Sequence, residues 1–89
     1  MRRRKRKTVY LLISHVDYDT DREKHILYSL MKRYRVLYCR DCKNIEERRE
    51  MIERADMIAY LPSLPEDIVR DLEYAYSKKK PIYRIEEDR

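Results

Sequence analysis

Four short apolar runs alternate with three longer stretches of mixed polarity. Thr8–Ser14 (TVYLLIS) is apolar throughout, which predicts a strand buried on both faces. Arg35–Cys39 (RVLYC) and Asp56–Leu61 (DMIAYL) predict two more strands, and Pro81–Ile85 (PIYRI) predicts a fourth. Between them lie three helical patterns. The first opens at Thr20, with Glu23 three residues on as a capping box, and runs to about Arg33. Its apolar stripe is Ile26, Leu27, Leu30, Met31 and Tyr34. The second opens at Asn44, with Glu47 in the same relation, and ends at Arg54 with a thin stripe of Ile45, Ile52, Ala55 and Met51. The third opens with Ser63 and Glu66 as an S-x-x-E box and Pro65 in its first turn. Ile68, Val69, Leu72, Ala75 and Tyr76 are its expected inner face, and Lys78–Lys80 suit the dipole at its carboxyl end.

The order βαβαβαβ with right-handed crossovers predicts an α/β fold, a three-layer sandwich around a four-stranded parallel sheet. The most economical strand order is 2-1-3-4, flavodoxin- or Rossmann-like. Its ligand crevice lies outside the carboxyl ends of strands one and three. The loops His15–Asp21 and Leu61–Pro65 should meet there.

At 89 residues the chain is one domain. Its net charge of +5 is misleading, because Arg2, Arg3, Arg4, Lys5, Arg6 and Lys7 form one basic block. The other basic residues nearly balance the 17 acidic ones. Residues 1–7 therefore read as a disordered basic tail, and 8–89 as the folded domain. The tail either contacts nucleic acid through phosphates or merely solubilises the chain. Charged residues make up 44% of the chain, glycine is absent, and Asn44 is its only amide side chain. That composition suits a hot environment. No apolar run approaches the roughly 20 residues of a membrane span, and no signal-peptide core follows the basic start. The expected location is cytoplasmic.

The candidate chemistry is carboxylate-rich. Asp17, Asp19 and Asp21 lie in the loop after the first strand, where they can hold sugar hydroxyls, serve as acid or base, or simply cap and solvate. The D-x-D-x-D spacing lacks the glycine and distal glutamate of a calcium loop. Cys39 and Cys42 form C-x-x-C, too few ligands for structural zinc, and read as a local disulfide or two inert thiols. No metal is expected. His15 directly follows the central strand and is a candidate base or phosphate contact. A glycine-free chain has neither a Walker A loop nor a dinucleotide fingerprint, so no cofactor is expected. Asp17, Asp19, Asp21, Glu66 and Asp67 around the helix starts favour a neutral, hydroxyl-rich ligand such as a nucleoside over a nucleotide.

The stretch ADMIAYLPSL…RDLEYAYSKKKPIY resembles the closing segment of the nucleoside 2-deoxyribosyltransferase-like family, and TVYLLIS followed by TDREK resembles its opening. The resemblance implies cleavage or exchange of N-glycosidic bonds through a carboxylate nucleophile and a covalent glycosyl intermediate. It places Asp71 at the nucleophile's position, within D-L-E-Y-A, and Tyr10 at the tyrosine that orients it. Asp17, Asp19, Asp67, Ser63 and His15 are then candidate substrate contacts. Aspartate replaces the family's glutamate, and Glu73 stands at its glycine.

Two other readings remain beside this one. One is a non-catalytic regulatory module whose arm, Arg2–Lys7, binds nucleic acid. The other is a homo-oligomeric assembly subunit using Tyr74, Tyr76 and Tyr83. Asp71 flanks the expected core stripe on the helical wheel, which suits a surface carboxylate near Lys78 or Arg70 equally well.

Overall fold

The most continuous apolar run takes the centre of the sheet. In a computed structural model, which describes residues 6–86, β1 (Thr8–Leu12) lies between β2 (Arg35–Tyr38) and β3 (Met57–Tyr60). β4 (Ile82–Arg84) flanks β3, and every pairing is parallel, giving the order β2-β1-β3-β4. The expected fold class and strand order are both present. Val9 through Ile13 are at most 1% exposed, as a strand covered on both faces requires. Register pairs Tyr10 with Leu37 and Ile58, and Ile58 with Ile82, so these side chains share one face. Leu11 and Ala59 share the other.

The connections are α1 (Asp21–Met31), α2 (Ile45–Arg54) and α3 (Glu66–Ser77). The chain steps one way from β1 to β2 and the other way to β3 and β4. Right-handed crossovers therefore put α1 on one face and α2 with α3 on the other. Helices in such units run antiparallel to the strands, so their amino ends gather at the strands' carboxyl ends. The described helices are all too short and polar to cross a membrane.

Two caps form as the sequence predicts. The Thr20 hydroxyl accepts from the Glu23 amide at 3.2 Å, and Asn44 Oδ1 accepts from the Glu47 amide at 2.9 Å. The third does not. Ser63 sits at φ 74°, Pro65 is the N-cap, and no side chain caps α3. The proline accounts for the shift, because it disfavours helical geometry at Leu64 and delays the start.

The helix faces also need correction. Met31, Val69 and Tyr76 point outward, at 59%, 40% and 79% exposure. The inner residues of α3 are Ile68, Asp71 and Ala75, so Asp71 does not flank the core but lies in it. Cys39 leaves the strand and opens a short 3-10 turn, Cys39–Asp41. Tyr74 is covered by Arg49 and Lys78, so only Tyr76 and Tyr83 of the expected interface tyrosines stand clear. Lys80 serves α2 rather than α3, donating to the Glu53 and Ala55 carbonyls at 3.0 and 2.8 Å. Arg2, Arg3, Arg4 and Lys5 of the basic arm, and the last three residues, lie outside the described residues. Arg6 donates to the Met31 carbonyl at 2.9 Å.

Without glycine, left-handed positions fall to Asp19, Ser63 and Lys79. Lys79 ends α3, where the Lys80 amide returns to the Ala75 carbonyl at 3.1 Å. A side chain at that position is unfavourable by about 1–2 kcal/mol, and the greater entropy loss of glycine offsets roughly half of this. Lys79→Gly is therefore expected to raise the free energy of unfolding by about 0.5–1 kcal/mol, read from urea titrations; a lower value would contradict this account of the turn.

Candidate functional site

The mouth between β1 and β3 is built from three strand exits. After β1, Ile13 and Ser14 stay buried and a 3-10 turn, His15–Asp17, carries the chain across the opening. After β2, the turn Cys39–Asp41 lies beside it, and after β3 the segment to Pro65 delivers the start of α3. Between them is a cavity of about 340 Å³, whose polar lining includes His15, Tyr18, Cys42, Arg48 and Asp67. A larger groove of about 470 Å³ runs between α1 and Ile85. It is mostly apolar and shares no lining residue with the cavity between the strand exits.

Asp71 lies one helical turn below Asp67 and has no exposed surface. Its Oδ2 accepts from Arg48 Nε at 2.6 Å, and its Oδ1 has no hydrogen-bond partner. Burial raises its pKa, outweighing the Arg48 hydrogen bond and charge that lower it. For Arg48, burial works against the charge, but the bond to Asp71 prevails and raises its pKa. Tyr10 is fully buried, with its hydroxyl 3.9 Å from Cys42 Sγ. Burial, followed by the neighbouring thiols and then Asp71, pushes its pKa well up, so it stays a protonated donor. Cys39 and Cys42 are free thiols, and burial raises both.

A second polar cluster holds the mouth's other wall. Glu23, 4% exposed, accepts from the Asp19 amide at 3.0 Å, from Arg40 Nη1 at 3.2 Å and from the Tyr38 hydroxyl. Arg40 also reaches Asp19 at 3.1 Å and stacks on Tyr18, which meets Tyr38 edge to face. The cluster ties the loop after β1 to the turn after β2. Burial alone would raise the Glu23 pKa; the Tyr38, Asp19 and Arg40 contacts outweigh it and lower it.

Of the sequence-predicted contacts, His15 and Asp67 line the cavity, while Tyr10 and Asp71 lie beneath it. Asp17 instead meets Arg22 at 3.5 Å, Asp19 meets Arg40, and Asp21 lines the α1 groove. Ser63 is not among the lining residues. Sequence reasoning missed Arg48, Glu23 and Arg40. Spacing was the available signal: Arg48 falls on the stripe of Ile45 and Ile52, and Glu23 on that of Ile26 and Leu27. Among the described residues, no three His, Cys, Asp or Glu side chains gather as a metal site. Compared with protein-family models, curated proteins and solved structures, the chain has no match.

Because its folded pKa is depressed, ionised Glu23 contributes stability above its unfolded pKa, and that contribution is lost as pH falls through the folded value. The unfolding midpoint is expected to drop in acid below about pH 4.3. Glu23→Gln should lower stability at pH 7 by about 1–3 kcal/mol and flatten that acid limb. Parallel acid limbs in the two proteins would contradict the role given to Glu23.

Proposed function

We propose that the chain is a nucleoside 2-deoxyribosyltransferase-like domain that binds a nucleobase–sugar ligand in the β1/β3 mouth and acts on its N-glycosidic bond. The observation that carries this reading is Asp71, a wholly buried carboxylate beneath the mouth with one oxygen anchored and the other unpartnered. Natural folds rarely leave a buried acceptor unpaired, and exceptions concentrate at working sites. The resemblance in Tyr10 and D-L-E-Y-A points to the same carboxylate.

In this reading Oδ1 attacks the anomeric carbon of the sugar. The C–N bond breaks, its electron pair leaves with the base, and a glycosyl–aspartate ester forms. A second base or water then attacks the same carbon and frees the carboxylate. Arg48 Nε holds Oδ2 and fixes which oxygen is available. Tyr10 keeps its proton and polarises the floor beneath the sugar. Asp67, on the cavity wall, accepts from a sugar hydroxyl. Asp71 has no exposure, so contact with the sugar requires the Arg48 side chain to shift within the cavity floor.

Base release or exchange with 2′-deoxynucleosides should be measurable for the intact chain and reduced about a thousandfold or more by Asp71→Ala. Only the ionised carboxylate attacks, so the rate should rise with pH through a value above the ordinary aspartate pKa of about 3.9. Equal activity in the intact protein and Asp71→Ala, or none in either, would remove the proposal.

A further inference from the structure

A parallel sheet has two unlike ends. Opposite the mouth, all four strands begin and all three helices finish. The mouth end mixes its charges, with Asp17 on Arg22 and Asp19 on Arg40. The opposite end does not. Lys7, Arg33, Arg35 and Lys79 are exposed there, and among the described residues none of the four has a carboxylate partner. The acidic residues at that end are already engaged. Glu50 meets Arg54 at 4.0 Å, Glu53 meets Lys78 at 3.6 Å, and Asp56 accepts from the Thr8 amide at 2.8 Å. All four unpaired cations lie beyond the last helical turns, within which a helix dipole is felt. A surface charged only for solubility intersperses the two signs.

Two clefts open at this end. Beside β4, Tyr76, Ser77, Lys79, Lys80 and Pro81 line one of about 550 Å³. Tyr76 stands clear of the fold, so its ring is open to stacking. Beside β2, a second cleft of about 440 Å³ has Arg6, Met31, Tyr34 and Arg35 in its lining. The bond from Arg6 to the Met31 carbonyl at 2.9 Å holds the chain there, and Arg2–Lys5 directly precede it in sequence. The β2 and β4 edges are three strand spacings apart, about 14 Å, and Lys7 enters β1 between them. A row of cations with an open aromatic ring at one end is what a single strand of nucleic acid uses, phosphates on the charges and a base on the ring.

We propose that this end of the sheet binds single-stranded nucleic acid, its phosphates passing over Arg35, Lys7 and Lys79 and an unpaired base stacking on Tyr76. The site lies at the far end of the strands from the β1/β3 mouth, and it goes beyond the proposed function without resting on it. The basic block before β1 then extends a surface that the fold already presents. Stacking on Tyr76 favours a single strand over a duplex, whose bases already stack on one another. It also favours a single strand over an anionic membrane, which offers phosphate without a base.

Fluorescence anisotropy of the full chain tests this with labelled oligo(dT) and oligo(rU) of about 15 nucleotides. A duplex of the same length and phosphatidylserine vesicles serve as competitors. Binding of either oligomer supports the site, and the tighter of the two names the natural strand. The logarithm of the affinity should fall against that of salt with a slope of about −2 or steeper, from three cations at roughly −0.7 each. Tyr76→Ala should weaken binding about tenfold and leave the slope unchanged, because a base stack carries no counterions. Lys79→Gly, which the turn after α3 accepts, should make the slope shallower by about 0.7. Both residues are exposed, so the variants fold. No binding by the intact chain would overturn the proposal. So would unchanged affinity and slope in both variants, which would leave Arg2–Lys5 alone as the contact. Duplex or vesicles that compete as well as an unlabelled single strand would also overturn it.

Discussion

Two opposite charges meet between α2 and α3, Asp71 wholly buried and Arg48 mostly so, and the floor of the β1/β3 mouth depends on them. Transfer of each ion from water is unfavourable by several kcal/mol, and only close geometry offsets it. Arg48 and Asp71 have that geometry at 2.6 Å. The unpartnered Oδ1 adds a further penalty of about 1–3 kcal/mol. A domain of 89 residues is marginal to begin with, and apolar residues at both 48 and 71 would fill the same space without either penalty. Retention of a charged pair there is what sets the β1/β3 mouth apart from the rest of the surface.

The same device recurs on each helix. Glu23, Arg48 and Asp71 all lie on inward stripes, at the third, fourth and sixth residues of α1, α2 and α3. Parallel crossovers bring those helix starts to the carboxyl ends of the strands, so two buried carboxylates and a half-buried arginine gather around one opening. They divide the work. Glu23 gathers Tyr38, Arg40 and the Asp19 amide into a rigid wall. Arg48 and Asp71 form the floor, with Tyr10 of the central strand beside them. At the opposite ends the helices close conventionally, with Lys80 satisfying α2 and Lys79 turning α3 without glycine.

Strand order, direction and the central place of β1 were legible because they follow from unbroken apolar runs and from crossover handedness. Two helix starts were legible because Thr20 and Asn44 cap through local bonds. The start of α3 was misplaced because Pro65 acts on the backbone of its predecessor, which outweighs the S-x-x-E pattern. The site was only half legible. Asp71 and Tyr10 were named through a resemblance, yet the helical wheel put Asp71 on a flank, because such counting assumes that charge faces water. A partner on another helix reverses that assumption, and Arg48 is 23 residues away in sequence. Asp17 and Asp19 likewise meet Arg22 and Arg40, partners that pattern alone does not assign to them.

Coupling between Arg48 and Asp71 across their 2.6 Å contact is what holds the floor of the mouth. A double-mutant cycle in urea unfolding measures it, using Arg48→Met, Asp71→Leu and the two together. The account predicts that Arg48→Met alone destabilises strongly, by about 3 kcal/mol or more, and that the double variant regains most of the loss, with a coupling of about 2–3 kcal/mol. Single effects below about 1 kcal/mol that simply add would mean an ordinary solvated ion pair, and the floor of the mouth as described here would not exist.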